Sequence, residues 1–202
     1  MEKAVKTWKL KDGRTLELFQ EQDSESPREW DNLGIMVCFH KRYDRLGDKT
    51  DLKSENFKGW DALEDYLTEE KKAVAILPLY LLDHSGITMK TSSFNDHWDS
   101  GQVGFIYTTR EQCKKMGLKF RSKKNLEREL EGEVETYDQY LKGDIYGFVL
   151  SKYVTCGSCN HTEKVTEDSC WGFYGQDIWS NGVMDHMPKD VVKLLKTAEE
   201  VS

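Results

Sequence analysis

The feature that most constrains this chain is the stretch from Ser122 to Gly143. Leu126, Leu130, Val134, Tyr137 and Leu141 recur there at spacings of four, four, three and four, which puts them on one stripe of an α-helix. Ser122 stands where an N-cap oxygen accepts from a first-turn amide, and Gly143 stands where a left-handed backbone ends a helix. A helix with one apolar side needs another apolar layer to cover.

Strands supply that layer. Ile35-Met36-Val37-Cys38-Phe39 is an apolar run of strand length and reads as a central strand. Val74 to Leu82 reads as the most buried strand, with Pro78 marking an edge, a bulge or an early bend. Residues 5 to 10 and 14 to 20 flank Lys11-Asp12-Gly13 and read as an N-terminal hairpin. Gln102 to Thr108, Ile145 to Val154 and Lys164 to Phe173 read as further strands, the last two joined by a tight connection. Trp60, Leu63, Tyr66 and Leu67 predict a helix over about 59–72 that covers a sheet, and Thr109 with Gln112 gives the capping pattern of a short helix ending near Gly117. Pro188 opens a C-terminal helix carrying Val191, Val192, Leu194 and Leu195. There is no βαβ alternation, no internal repeat and no Gly-rich phosphate loop. The expected class is therefore α+β: a mixed, largely antiparallel sheet flanked by helices, with a small Cys-containing hairpin.

A length of 202 residues fits one domain, or a domain with an insertion. The expectation is a single domain over 1–202, with 151–170 a candidate zinc-knuckle hairpin inside it. Asp and Glu number 36 against 29 Lys and Arg, and the resulting charge of -7 disfavours a nonspecific nucleic-acid or membrane-surface binder, which needs a basic surplus. A local basic patch stays compatible with that balance. The start Met1-Glu2-Lys3-Ala4-Val5-Lys6 has no apolar signal region, and Ala73 to Leu82 is too short to span a bilayer, so a cytoplasmic protein is expected. Five Cys, two of them in Cys156-x-x-Cys159, fit reduced thiols or a metal better than a disulfide framework.

Three groups of residues carry chemistry. Cys156-Gly157-Ser158-Cys159 has the spacing of half a zinc site, in a turn whose amides point at sulfur. His161 and Cys170 are the nearby candidates to complete it with Cys156 and Cys159, and Cys38 and Cys113 serve only if the fold brings them close. The alternative is a hairpin with two exposed, metal-free thiols. The segment from Asp83 to Gly101 is rich in Ser, Thr, Asp and Gly. It carries Asp83, His84, His97 and Asp99, which suit general acid–base work or a metal, or else a plain turn-rich loop that Trp98 packs down. Glu127, Glu131, Glu135 and Asp138 fall on one helical stripe, with Glu129 and Glu133 beside it. Carboxylates about 6 Å apart can imitate a nucleic-acid backbone to an enzyme that binds one, although a solvated helix face is the commoner meaning. Lys119, Arg121, Lys123 and Lys124 precede that helix and oppose its dipole.

Four stretches also carry a resemblance: Pro27-Arg28-Glu29-Trp30-Asp31-Asn32-Leu33-Gly34, Trp98 to Tyr107, Glu135 to Phe148, and Asp168-Ser169-Cys170-Trp171-Gly172-Phe173-Tyr174-Gly175. Together they resemble a family of small uncharacterised proteins carried by bacteriophages and other mobile elements of bacteria. No activity or catalytic residue comes with that resemblance. It implies a context, the host cytoplasm, and a role among accessory proteins that oppose host defence. In such proteins the Cys156–Cys159 knuckle resembles a variable insertion.

Two functions follow as expectations. The first is a non-enzymatic phage or mobile-element protein that binds and inhibits a host defence or nucleic-acid enzyme, a CRISPR effector among them, through Glu127, Glu131, Glu135 and Asp138. The second is a small enzyme acting on a nucleotide or other small ligand through Asp83, His84, His97 and Asp99. A zinc-stabilised nucleic-acid adaptor is a third reading.

Overall fold

The computed structural model of the protein describes residues 3–96, 98–119 and 121–201. His97 lies outside the described residues. Contacts gather into two compact units, Met1–Ser24 with Gly143–Ser202, and Glu25–Lys142. In chain order the second is an insertion in the first.

The first unit is built on a five-stranded sheet. Its strands are β1 (Lys6–Lys9), β2 (Thr15–Gln20), β7 (Ile145–Thr155), β8 (Thr162–Tyr174) and β9 (Glu200–Val201), in the order β8-β7-β2-β1-β9. The hairpin turn at Asp12-Gly13 forms as the sequence indicates, with Gly13 at φ 89°. The ladder then joins β2 directly to β7, Gln20 facing Tyr146. Gln20 Nε2 donates to the Gly143 carbonyl at 2.6 Å and the Glu21 amide donates to the Ile145 carbonyl, which closes the sheet where the insertion leaves and returns. Leu16, Leu18, Phe148 and Leu150 alternate onto one face, where Val183, Met187 and helix α4 (Lys189–Leu195) cover them.

The second unit is a four-stranded sheet in the order β3-β6-β4-β5, from β3 (Ile35–Cys38), β4 (Ala73–Asp83), β5 (Ile87–Lys90) and β6 (Ser100–Thr109). Helix α1 (Trp60–Glu69) buries Leu63 and Leu67 against Val37, Phe105 and Tyr107. Helix α3 (Lys123–Leu141) buries Leu126, Leu130, Val134 and Tyr137 against the opposite face, with Met36, Leu79 and Ile106. The alternation of strand side chains thus feeds two cores from one sheet. Ser122 accepts from the Asn125 amide and Gly143 takes φ 66°, so both ends of α3 are as the sequence marks them. Helix α2 (Arg110–Lys115) is capped by Thr109, which accepts from the Gln112 amide.

Every strand pairing among the described residues is antiparallel, and the α+β class holds. Two expectations are corrected. Residues 35–38 form an edge strand, not a central one, because among the described residues β3 pairs only with β6. Its outer side is occupied by Asp48: the carboxylate accepts from the Met36 amide at 2.9 Å, and the Asp48 amide donates to the Met36 carbonyl. The segment 83–101 is not one loop, since Ile87–Lys90 pairs with Tyr80–Asp83 as a hairpin. Pro78 fits this plan: the pairing with β5 stops at Tyr80, so among the described residues no strand pairs with β4 at Pro78 on the side away from β6.

Candidate functional site

Where β4 ends and β6 begins, the Asp83 amide donates to the Asp99 carbonyl at 2.8 Å. This contact, with the turn at Ser85-Gly86 (φ 55° and 142°), aligns the side chains of His84 and Asp99. His84 Nδ1 lies 2.7 Å from Asp99 Oδ2. The hydrogen bond to that carboxylate, then its charge and that of Asp96, raises the His84 pKa above the ordinary value. In the neutral ring, a proton held on Nδ1 leaves Nε2 as an acceptor.

The segment after β3 approaches from the other side. The Phe39 amide donates to the Val103 carbonyl, and Asp83 gathers two groups beyond it. Tyr43 Oη donates to Asp83 Oδ1 at 3.0 Å, and an Arg42 guanidinium nitrogen sits 2.8 Å from Asp83 Oδ2. His40 stacks on Tyr43 with ring centroids 4.9 Å apart. Desolvation, then the bond to Asp83, raises the Tyr43 pKa, so it remains a neutral phenol. Between these groups and Gly101-Gln102 opens a cleft of about 480 Å³, within the range of about 300 to 1,000 Å³ usual for ligand sites.

Trp98 stands on the rim of this cleft and is 96% exposed. It does not pack its loop down, as the sequence suggested. The loop is braced from within instead: Asp96 Oδ1 accepts from the Trp98 amide at 2.8 Å and the Asp99 amide at 3.3 Å, and Ser100 Oγ bonds the Asp96 carbonyl. An indole held on a braced loop and left in water has no packing role.

The carboxylates of α3 divide by the side of the helix they occupy. Glu131 and Glu135 are exposed, and Glu127 is half-buried with Lys123 Nζ at 3.7 Å. Asp138 turns inward. It accepts from Thr88 Oγ1 at 2.6 Å and from the Met89 amide at 2.8 Å, tying β5 to α3. The four therefore do not form one solvent-facing row, because Asp138 lies only a few tens of degrees of helix from the buried stripe and finds a hydroxyl and an amide donor there. Glu133, taken as a neighbour of the stripe, carries more of the structure. It accepts from the Leu33 and Gly34 amides and pairs with Arg28 at 3.0 Å. Arg28 also holds Asp48 through two bonds of 2.8 and 2.9 Å and donates to the Gly34 carbonyl at 2.7 Å, its side chain only 5% exposed. Burial opposes the Arg28 charge, but Asp48 and then Glu133 outweigh it and raise its pKa. The Pro27 to Gly34 stretch is thereby accounted for by folding.

Cys156 and Cys159 lie exposed in the turn that joins β7 to β8. The Ser158 and Cys159 amides bond the Cys156 sulfur and lower its pKa. His161 is also exposed there, its carbonyl accepting from the Cys156 amide at 2.8 Å. Cys170 is not brought to them: it faces Phe148 across the ladder, eight residues beyond Thr162, or roughly 26 Å along a strand. Cys38 and Cys113 belong to the other unit. Among the described residues no group of three or more His, Cys, Asp or Glu is placed to hold a metal ion.

Compared with known proteins, the chain matches no family model, no curated protein and no solved structure. No helix among the described residues is long and apolar enough to cross a membrane. Sequence reasoning singled out Asp83 and Asp99, which line this cleft, and His84 beside Asp99, but missed His40 and Arg42 of the lining and Tyr43 bonded to Asp83, which sit in a polar loop with no periodicity to flag them.

Proposed function

We propose that the protein acts by binding, as an accessory protein of a phage or mobile element that inhibits a host defence or nucleic-acid enzyme, and that it grips that enzyme at the Trp98 cleft. The observation that carries the binding role is the 96% exposure of Trp98 on a loop braced by Asp96. Trp is enriched among residues that dominate interface energy, and a pre-ordered loop lowers the entropy lost on docking. The cleft offers an apolar indole beside Arg42, whose side chain is 70% exposed. It suits a protein segment that places an apolar side chain on Trp98 and a carboxylate near Arg42. The mobile-element context rests on the resemblance of the four stretches named above.

The test compares proteins retained from a bacterial lysate by the parent, by Trp98→Ala and by Glu131→Lys/Glu135→Lys, followed by assay of the retained enzyme with and without the protein. Loss of about 2 kcal/mol, roughly thirtyfold in affinity, is the expected cost of removing such an anchor. Retention of the same inhibited enzyme by Trp98→Ala overturns the cleft, and loss only in the Glu131/Glu135 variant moves the interface to α3.

A second reading is a small enzyme acting on a nucleotide or other small ligand. The 2.7 Å contact between His84 and Asp99 favours it, since a carboxylate that orients imidazole prepares a general base. It expects turnover that falls about 10² to 10⁴-fold in His84→Ala with an unchanged melting temperature.

A further inference from the structure

The protein carries a net charge of -7, yet one cavity of the Glu25–Lys142 unit is lined by cations. It measures about 490 Å³ and lies between β4, α2 and the start of α3. Arg110, Lys114, Lys119, Arg121 and Lys123 surround it. Arg121 pairs with Glu129, and Lys123 lies 3.7 Å from Glu127. Arg110, Lys114 and Lys119 make no ion pair among the described residues. Its floor is apolar: Val74, Cys113, Leu118 and Leu126 line it, and each belongs to the core beneath or packs on it.

Folding alone does not account for this grouping. Lys114 suits the C-terminal end of α2, where a cation is favourable. The start of α3 is the reverse case. Its first turn holds Lys123 and Lys124 and no acidic residue, so cations meet the positive end of a 19-residue helix. Like charges gathered around one cavity repel. A bound anion relieves that repulsion. A cavity with apolar floor and charged rim selects a ligand with an apolar body and an anionic end.

We infer that this cavity is a binding site for a nucleoside phosphate, with the phosphates among Arg110, Lys114 and Lys119 and the base over Leu118 and Leu126. It is separate from the Trp98 cleft and stands whether or not that reading does. The volume suits a mononucleotide, and Arg110 offers the planar fork that matches phosphate oxygens.

The test is calorimetric titration of the protein with ATP, tripolyphosphate and adenosine, repeated on Arg110→Ala/Lys114→Ala/Lys119→Ala. Those three side chains are exposed, so the variant is expected to melt with the parent. ATP should bind at least about tenfold tighter than either fragment, and the variant should lose at least about tenfold, the scale of one charge-assisted contact. A second readout needs no variant: ATP should slow alkylation of Cys113 on the cavity floor and leave Cys156 unaffected. Absence of ATP binding at millimolar concentration overturns the inference. So does tripolyphosphate binding as tightly as ATP, unprotected Cys113, or a single-stranded oligonucleotide binding more tightly than ATP.

Discussion

The Trp171 ring covers the backbone of Gly147 so closely that a Cβ at residue 147 would stand 2.1 Å from Cε3 of the indole. Tyr146 pairs with Phe173 while Phe148 pairs with Cys170, so β8 carries an extra residue opposite Gly147, with Gly172 at φ 90°. The bulge turns Trp171 onto β7 and toward Phe19, ring centroids 6.4 Å apart. Gly147→Ala must push the indole away, and overpacking of this kind costs about 1 to 3 kcal/mol. Trp171→Ala in the same background should recover part of that loss, because the ring that clashes is then gone. Denaturant melts of the two single variants and the double variant measure the coupling; strict additivity would show that the ring does not rest on Gly147.

Arg28 joins Asp48 and Glu133, and through them the outer edge of β3 and the Leu33-Gly34 amides. Removing one partner of a buried ion network leaves uncompensated charge and costs about 3 to 5 kcal/mol. Arg28→Met should therefore destabilise the protein by that amount. Arg28→Lys should rescue little, since an ammonium cannot hold Asp48 through two bonds while also reaching Glu133 and the Gly34 carbonyl. A lysine variant as stable as the parent would refute the geometry.

Much of the scaffold was legible in the sequence, for local reasons. Ser122, Gly143 and the Leu126 to Leu141 spacing define α3 within its own residues, and Thr109 with Gln112 does the same for α2. Gly172, between Trp171 and Phe173 in a strand, reads as a bulge or close backbone approach, and the bulge has its partner in Gly147. What stayed hidden depends on distant chain. Ile87-Thr88-Met89-Lys90 is too short and mixed to announce a strand, and it is held by Asp138, some fifty residues on. The place of β3 at an edge follows from Asp48, and the direct pairing of β2 with β7 spans the whole insertion. In the candidate site, Asp83, His84 and Asp99 were named, but nothing local distinguishes an exposed Trp98 from a packed one.

The His84–Asp99 pair makes a pH prediction whose sign follows from the shift. The folded pKa of His84 is raised by Asp99, so the pair contributes stability that is fully present below the unfolded value of about 6.5 and is lost as pH rises through the folded pKa. A histidine titration followed by NMR should place the His84 midpoint above that of a model peptide. In Asp99→Asn the midpoint should fall and the added stability below neutral pH should vanish. A midpoint that ignores Asp99→Asn would mean that the side chains do not meet in solution, and the general-base reading would go with it.

The cysteines should differ in reactivity because the thiolate is the nucleophile. Cys156 is exposed with its pKa lowered by the Ser158 and Cys159 amides, whereas burial, then Asp48, pushes the Cys38 thiol up to about 12. Brief treatment of folded protein with iodoacetamide, followed by peptide mass spectrometry, should find Cys156 modified first and Cys38 last; equal rates would contradict the two environments. The same measurement addresses zinc. Only Cys156 and Cys159 share the turn, so added zinc should protect those two thiols together and leave Cys170, well down the β7–β8 ladder, at its original rate. Protection of Cys170 in parallel with Cys156 would require a different register for β8, and zinc that protects neither would leave the turn a pair of metal-free thiols.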